Sequence, residues 1–230
     1  MEDRPRAVVP ALPLPISASM NKSAVLARIQ QEKVIALIRA DGPDSLIACA
    51  RALAAGGLGV IELTMTTPGA LEVLARAARE LPDVCFGLGT VLEAETVTVA
   101  QQAGAQFIVT PAVRPAVIAA AREHGLPVLG GALTPTEAIT SAELGADVIK
   151  IFPAEFFGPA YIKSHKAPFP HLKLLPTGGV TPETVGDFLR AGAFATAAGS
   201  ALVSPAALKA KDWNAITARA REFTAAAARA

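Results

Sequence analysis

The sequence predicts an α/β fold, a single (β/α)8 or TIM barrel of parallel strands with a closing C-terminal helix. Two observations support this fold class. Short apolar stretches typical of buried strands alternate with stretches of helical periodicity through most of the 230 residues. A glycine also separates a predicted helix from the next strand at Gly57, Gly104, Gly125, Gly145 and Gly192. Repeated strand–helix units with short connections favour parallel strands, and eight such units favour a closed barrel.

The strands are predicted where apolar residues run almost without interruption, because the strands of a parallel barrel are covered on both sides. In chain order they span residues 34–38, 59–64, 84–88, 106–110, 127–130, 145–153, 172–176 and 194–198. The helices are predicted where apolar residues recur at helical spacing. They span residues 23–32, 45–55, 68–80, 94–103, 115–124, 135–144, 161–167, 181–191 and 213–228.

Local signals support several of these boundaries. Gly56 and Gly57 end the second helix. Thr134, Pro135 and Glu137 begin the sixth, since threonine caps, proline fits the first helical position and glutamate completes a capping box. The alternative fold is an open, doubly wound sheet. It is disfavoured because no Gly-x-Gly-x-x-Gly phrase opens the first helix.

The composition argues against several classes of function. A formal net charge of +1 gives no electrostatic reason to expect nucleic acid or an anionic membrane as a partner. No apolar run reaches about eighteen residues, so no transmembrane helix is predicted. Cys49 and Cys85 are the only cysteines, which predicts no disulfide framework and a cytoplasmic location.

Residues 1–20 differ from the rest of the chain. Prolines interrupt them, and Glu2 and Asp3 stand where a signal peptide would be basic. We therefore expect an N-terminal extension that is flexible or lies along the surface. The barrel domain is predicted to span residues 21–230.

A lysine, Lys150, lies inside the apolar run of the sixth predicted strand. A lysine in a buried strand is costly unless its amine is neutral, paired or hydrated. Burial disfavours the charged form, and a neutral amine is a nucleophile toward ketones and aldehydes. The alternative is a lysine at a strand end that extends into solvent or pairs with a nearby acid.

The barrel prediction favours the functional interpretation of Lys150, because the chemistry of such barrels lies at the carboxyl ends of the strands. The polar residues at these ends are Arg39, Glu62, Thr64, Thr66, Thr90, Thr110, Lys150, Thr177 and Ser200. Among them, Glu62 is an acid within a buried strand. It is either an ion-pair partner of Lys150 or a proton shuttle beside it, and one pair could do both.

Two glycine phrases follow the last two strands. Thr177-Gly178-Gly179 follows the seventh and Gly199-Ser200 the eighth. These are the loops that form the usual phosphate site of such barrels, and glycine allows the backbone to approach an anion closely. The alternative is that they are simple turn glycines.

No metal site is predicted. His124, His165 and His171 lack the spacing of metal ligands, and neither cysteine is near a histidine in the sequence.

Several phrases, in order, resemble the family of 2-keto-3-deoxy-6-phosphogluconate (KDPG) and 4-hydroxy-2-oxoglutarate (KHG) aldolases, from about residue 24 to the end. The phrases are Val34-Ile35-Ala36-Leu37-Ile38-Arg39-Ala40, Ile61-Glu62-Leu63-Thr64, Gly87-Leu88-Gly89-Thr90-Val91, Phe107-Ile108-Val109-Thr110-Pro111, Thr134-Pro135-Thr136-Glu137, Ile149-Lys150-Ile151-Phe152-Pro153, Pro176-Thr177-Gly178-Gly179-Val180 and Gly199-Ser200-Ala201-Leu202-Val203. The lysine phrase combined with the Thr-Gly-Gly phrase is the specific part.

The resemblance implies a class I aldolase on a homotrimeric barrel, acting on a keto-acid sugar phosphate without a metal or other cofactor. Lys150 would form the Schiff base and Glu62 would shuttle protons. Thr90 and Pro111 would line the pyruvate end, and Phe152 would pack beside the lysine. The residues that would hold the carboxylate and phosphate ends of the substrate are Thr177, Gly178, Gly179, Gly199 and Ser200.

The chain departs from the family pattern at one position. Many members have arginine four residues after the glutamate, where this chain has Thr66. Some members, including those acting on the galactonate epimer, also lack that arginine. Arg39 could supply the cation as a ligand of a carboxylate or phosphate, or it could pair with Asp41 or Asp44. The departure leaves the C4 epimer and the need for a phosphate open.

Three hypotheses follow. The first is an aldolase that splits a 2-keto-3-deoxy-6-phospho sugar acid into pyruvate and glyceraldehyde 3-phosphate. The second is a phosphate-binding barrel isomerase or epimerase, which needs no imine. The third is a non-catalytic barrel that serves as an oligomer building block.

Overall fold

The computed structural model describes residues 20–39 and 43–230. In this part of the chain all strands belong to one parallel sheet. In chain order the strands are β1 Val34–Ile38, β2 Val60–Thr64, β3 Cys85–Gly89, β4 Phe107–Val109, β5 Val128–Ala132, β6 Val148–Ile151, β7 Leu174–Pro176 and β8 Thr196–Ala198. The helices are α1 Lys22–Glu32, α2 Pro43–Ala55, α3 Ala70–Glu80, α4 Glu95–Gln102, α5 Pro115–Glu123, α6 Pro135–Glu143, α7 Gly158–Lys166, α8 Val185–Arg190, α9 Pro205–Ala210 and α10 Trp213–Ala228.

The sheet closes into a barrel. Its strands are hydrogen-bonded in the order β7-β6-β5-β4-β3-β2-β1-β8. A parallel bridge between Thr177 and Ala197 joins the two outer strands, and the Phe194 N–H donates to the Leu174 carbonyl at 2.8 Å. The predicted (β/α)8 barrel with its C-terminal helix is therefore confirmed. Residues 1–19 lie outside the described part of the chain, so the predicted extension stays a prediction.

The barrel strands are apolar because each is covered on both faces. One set of alternating residues fills the lumen, including Ile35, Val60, Phe107 and Leu129. The other set packs against the surrounding helices in a second apolar cluster. Every strand residue is buried as a result.

Helix α1 closes the amino-terminal end of the barrel. Its buried residues Val25 and Ile29 pack in the same cluster as the lumen residues. The Lys22 ammonium lies 2.7 Å from the Asp147 carboxylate, which precedes β6. The lumen is thus closed at this end, and the carboxyl ends of the strands form the opposite face.

The predicted glycine signals are confirmed, since Gly57, Gly104, Gly125, Gly145 and Gly192 all have φ between 67° and 102°. Only glycine adopts this left-handed conformation without a steric cost.

Three helix predictions differ from the structure by three residues or more. Helix α9 was not predicted, although Ser204 caps it and Pro205 occupies its first position. Helix α8 begins at Val185 rather than near residue 181, because the Thr184 hydroxyl accepts a hydrogen bond from the Thr181 N–H at 2.9 Å and holds a turn there. Helix α7 begins at Gly158, three residues before the predicted start at Tyr161.

Candidate active site

Lys150 and Glu62 meet inside the barrel. They lie on β6 and β2, which are four strands apart and so face each other across the lumen. The Lys150 Nζ lies 3.5 Å from the Glu62 Oε1. Lys150 is 5% exposed and Glu62 is 0% exposed. The two groups therefore form a buried ion pair inside the lumen, away from bulk water.

Alternation along the strands explains this placement. Glu62 follows lumen-facing Val60 by two residues, and Lys150 follows lumen-facing Val148 by two. Val60 and Val148 belong to the apolar cluster that also contains the residues of α1. The ion pair consequently lies on the carboxyl side of the packed lumen, where barrel enzymes carry out chemistry.

Glycines on the neighbouring strands make room for the pair. A Cβ on Gly89 would lie 1.9 Å from the Glu62 Oε1, so any side chain there would displace the carboxylate. A Cβ on Gly131, the strand neighbour of Lys150, would lie 2.2 Å from the Pro111 carbonyl carbon. Glycine at these two positions therefore allows the carboxylate and the Pro111 backbone to approach the centre of the barrel.

The Glu62 carboxylate has few polar contacts. Both of its oxygens are buried, and neither has a hydrogen-bond partner among the residues that the structure describes. A buried carboxylate without donors is costly, and such a cost is typical of a functional group rather than of a structural one. The arrangement can transfer a proton between Glu62 and a small molecule bound next to Lys150.

Thr90 has a strained backbone beside this site. Its φ is 60°, a left-handed value that is rare for a β-branched residue. It follows Gly89 directly, and Gly89 lies against the Glu62 carboxylate. Strain of this kind clusters at ligand-binding sites, because it costs stability and persists only where the surroundings impose it.

Three other threonines of the predicted mouth make structural hydrogen bonds. The Thr110 hydroxyl donates to the Ala112 carbonyl at 2.8 Å and accepts from the Gly131 N–H at 3.0 Å, which ties β4 to β5. The hydroxyls of Thr64 and Thr66 lie 2.9 Å apart. Thr66 is exposed at the rim, while Thr64 is fully buried.

The β6–α7 loop and the β7–α8 loop pack together above the lysine. The Lys150 Nζ lies 5.8 Å from the centroid of the Phe152 ring, within the range of a cation–π contact. The Thr177 N–H donates to the Ile151 carbonyl and the Ala154 N–H donates to the Thr177 carbonyl, each at 2.9 Å. The first glycine phrase is thereby held against the strand that carries Lys150.

The second glycine phrase lines a groove of about 610 Å³ between β1, β8 and α9. Its lining residues are Leu37, Arg39, Ser45, Gly199, Ser200, Val203, Pro205, Leu208, Lys209 and Lys211. The Arg39 side chain is exposed and lies in this groove with Gly199 and Ser200. Thr66 is not among the described residues that line this groove. Asp41 and the Asp44 side chain, the alternative partners of Arg39, lie outside the described residues.

His124 and His165 make hydrogen-bond contacts of a structural kind, and the buried His165 Nε2 has no partner among the described residues. His124 ends α5, with its ring nitrogens 3.0 Å from the Thr98 hydroxyl and 2.8 Å from the Gln101 amide oxygen. His165 is buried in α7, with Nδ1 3.1 Å from the Tyr161 carbonyl. Within residues 20–39 and 43–230, no group of three or more His, Cys, Asp or Glu residues is placed to hold a metal ion. No helix in the same ranges is long and apolar enough to span a membrane.

This geometry agrees with a comparison against protein families. The model of KDPG and KHG aldolases matches residues 25–219, which is most of the chain. The chain belongs to the KDPG/KHG aldolase family. The family resemblance predicted from the motifs is therefore confirmed. The chain is a TIM barrel, and it belongs to a family of aldolases, which are lyases.

Aldolases of this family align with the chain along most of their length. The 2-dehydro-3-deoxy-phosphogluconate aldolase of Treponema pallidum is 33% identical over 195 residues, covering 84% of this chain and 93% of that protein. The KDPG aldolase of Legionella pneumophila, solved with pyruvate captured as a covalent carbinolamine, has a TM-score of 0.81 at 28% identity, covering 89% of this chain and 98% of that one. The Zymomonas mobilis enzyme, solved with 3-phosphoglycerate, has a TM-score of 0.78 at 32% identity, covering 90% and 97%.

Sequence reasoning missed some features of this region. It did not identify Lys209 and Lys211 as lining the groove, because helix α9, which contains Lys209 and ends before Lys211, was not predicted. The Ser204-Pro205 pair is a helix-start signal that could have revealed it. The role of Gly131 in admitting the Pro111 backbone had no sequence signal, since it depends on contacts between separate strands.

Proposed function

We propose that this chain is a class I aldolase that cleaves KDPG, its galactonate epimer or 4-hydroxy-2-oxoglutarate to pyruvate and an aldehyde. With a 6-phosphorylated substrate the aldehyde is glyceraldehyde 3-phosphate. The observation that carries the proposal is the isolated Lys150–Glu62 pair, 3.5 Å apart and buried at the carboxyl side of the lumen. An amine and a carboxylate are the two groups that Schiff-base chemistry requires.

The lysine would supply the electron sink. Glu62 takes a proton from the Lys150 ammonium, and the neutral amine attacks the C2 carbonyl to give a carbinolamine. Glu62 returns this proton to the carbinolamine hydroxyl, which leaves as water and gives a protonated imine. When the bond between C3 and C4 breaks, its electron pair enters the imine and forms an enamine. Protonation of this enamine at C3 and hydrolysis of the imine then release pyruvate and restore the amine.

Glu62 would move the protons. Cleavage requires a base to remove the proton from the C4 hydroxyl as the aldehyde forms, and the same group can later help protonate the enamine. The absence of other hydrogen bonds to its oxygens from the described residues supports this role, because the carboxylate is free to accept a bond from substrate.

The remaining roles follow the positions around this pair. Thr90 and Pro111 would line the pyruvate end, because each lies next to a glycine that faces the pair. Phe152 would pack over the imine, as its ring contacts the lysine. Thr177, Gly178 and Gly179, on the loop packed against β6, would bind the anionic ends of the substrate together with Gly199 and Ser200.

Two relatives were solved with bound molecules that resemble the two ends of the proposed substrate, and these support the proposal. The Legionella pneumophila aldolase holds pyruvate as a covalent carbinolamine, the adduct expected before an imine. The Zymomonas mobilis aldolase holds 3-phosphoglycerate, a phosphate ester. The position of Arg39 beside Ser200 favours a role at the phosphate end rather than as a replacement for the cation absent at Thr66.

We also propose that the protein is cytoplasmic and forms a homotrimer. Light scattering of the purified protein would test the trimer.

The test is a panel assay of pyruvate release. The substrates are the gluconate- and galactonate-derived keto acids, each with and without the 6-phosphate, and 4-hydroxy-2-oxoglutarate. Release from at least one, together with the matching aldehyde, supports the proposal and identifies the substrate. A folded protein that releases pyruvate from none but interconverts epimers would favour the isomerase hypothesis, and one without any turnover would favour the non-catalytic barrel.

A further inference from the structure

We propose that Lys209 and Lys211, on and after helix α9, select substrates whose distal group is a doubly charged phosphate ester. The inference rests on the proposed function, because it names residues that set the substrate class of the same site. Helix α9 lies outside the sequence phrases that carry the family resemblance. Both lysines line the groove that also contains Arg39, Gly199 and Ser200.

The inner end of the groove adjoins the active site. Leu37 pairs with Glu62 in the sheet register, and it is one of the residues that line the groove. Ala36 on β1 pairs with Ala198 on β8, so the next residues along the two chains, Leu37 and Gly199, also lie next to each other. A Cβ on Gly199 would be 3.8 Å from the Leu37 Cδ2. A substrate with its keto group at Lys150 can therefore extend its other end past Leu37 and Gly199.

The groove is strongly cationic. Arg39, Lys209 and Lys211 contribute three positive charges, and no acidic residue is among its described lining residues. None of these three side chains forms an ion pair with an acid whose side chain the structure describes. Three like charges around one concave surface repel each other, and a doubly charged anion relieves this repulsion more than a singly charged carboxylate or a neutral hydroxyl does.

The volume favours an ester of some size over a small inorganic ion. A groove of about 610 Å³ has room for the distal half of a six-carbon phosphate ester together with hydrating water. Lys209 and Lys211 are both exposed, so they act on the phosphate over a distance or through water. Their contribution is accordingly expected to weaken as salt is added.

The backbone at Lys211 provides a sharp variant. Lys211 ends α9 with φ 55°, a left-handed conformation that glycine adopts more easily. Lys211→Gly therefore removes the charge while relieving backbone strain. A loss of activity in this variant cannot be explained by a less stable protein, provided that its melting temperature is unchanged or higher.

The experiment measures kcat/KM for Lys209→Gln, Lys211→Gly and the double variant. The substrates are KDPG, its unphosphorylated counterpart and 4-hydroxy-2-oxoglutarate. Lys163→Gln, at an exposed lysine on α7 outside the groove, is the matched control. We expect each single change to lower kcat/KM on KDPG by about two- to fivefold and the double change by roughly tenfold, mainly through KM.

The unphosphorylated substrates, added salt and Lys209→Arg show whether the two lysines act on the phosphate. Activity on the two unphosphorylated substrates should change less than about twofold, and the loss on KDPG should shrink in 0.5 M KCl. Lys209→Arg should retain most of the activity on KDPG. Equal losses on all three substrates, or losses no larger than those of Lys163→Gln, would overturn the inference.

A binding measurement separates this inference from the proposed function. Glycerol 3-phosphate is titrated into the wild type and the double variant by calorimetry. If no keto acid is cleaved but the double variant binds glycerol 3-phosphate more weakly, the proposed function fails and the groove assignment stands. If KDPG is cleaved and the double variant binds glycerol 3-phosphate as the wild type does, the groove assignment fails alone.

Discussion

The two ends of the candidate site are built in opposite ways. The Lys150–Glu62 pair lies within strands, is almost fully buried, and is positioned by glycines on neighbouring strands. The groove beside β8 is open, and its three cations are exposed. A buried pair fixes the reacting atoms in one geometry and strengthens electrostatic effects, whereas exposed cations attract an anion without fixing it. The difference predicts the largest effects, insensitive to salt, at the pair and smaller, salt-sensitive effects in the groove.

The largest effect is expected from Lys150→Arg. Arginine keeps the positive charge beside Glu62 but stays protonated, so it cannot attack a ketone. We expect no measurable pyruvate release by a variant that remains folded by circular dichroism. Residual activity within tenfold of the wild type would show that the buried amine is not the nucleophile.

Glu62→Gln should have the next largest effect. The amide has nearly the same shape but cannot accept the C4 hydroxyl proton, so kcat should fall by roughly two to four powers of ten. Steady-state kinetics on the best substrate would measure this. An unchanged rate would mean that Glu62 serves only as the ion-pair partner of Lys150.

Arg39→Ala examines the groove instead. A charge-assisted bond to phosphate is worth about 1.5–3 kcal/mol, so kcat/KM on the phosphorylated substrate should fall by roughly ten- to hundredfold. The penalty should be absent with the unphosphorylated substrate. A similar loss on both would place Arg39 at the carboxylate end, and near-wild-type kinetics on both would remove it from the site.

Thr90 offers a way to separate stability from function. Thr90→Gly should relieve the left-handed strain and raise the free energy of unfolding by about 0.5–1 kcal/mol, measured by denaturant titration. If the hydroxyl contacts the pyruvate end, kcat/KM should nevertheless fall several-fold. Thr90→Ala, which keeps the strain and lacks the hydroxyl, is the matched control and should lose similar activity without the gain in stability.

The smallest effect concerns the two thiols, which lie outside both regions. Burial raises the pKa of Cys49 and of Cys85 from 9.0 to about 12. Both thiols should remain protonated and unreactive toward Ellman's reagent at pH 8 until the protein is denatured. Because the unfolded thiols ionise above pH 9 and the folded ones do not, stability should decrease as the pH rises from about 9 toward 12. Rapid labelling of the native protein would contradict their burial.

The same comparison explains what the sequence could predict. Strands and their polar residues were predictable because buried strands are apolar, and Lys150 and Glu62 are conspicuous within such runs. Glycines at helix ends also have a local cause, which the positive φ values confirm. The barrel and the convergence of the strand ends followed from these local features.

The groove was harder to predict, because it depends on exposed residues. Lys209 and Lys211 resemble any solvated lysines in the sequence, and only the placement of α9 beside β1 and β8 brings them next to Arg39. The 3.5 Å separation of the reacting pair was equally inaccessible, since it depends on how far two strands stand apart across a closed barrel. The groove and the separation of the Lys150–Glu62 pair both depend on contacts between residues far apart in the sequence rather than on local propensity.

The central claim is that Lys150 forms an imine with the keto group of the substrate. The most direct measurement is reduction with borohydride in the presence of pyruvate, followed by peptide mass spectrometry. We expect the mass of one reduced pyruvate adduct on the peptide that contains Lys150, and no adduct in Lys150→Arg. An unmodified Lys150, or an adduct on Lys163 or Lys166 instead, would contradict the claim.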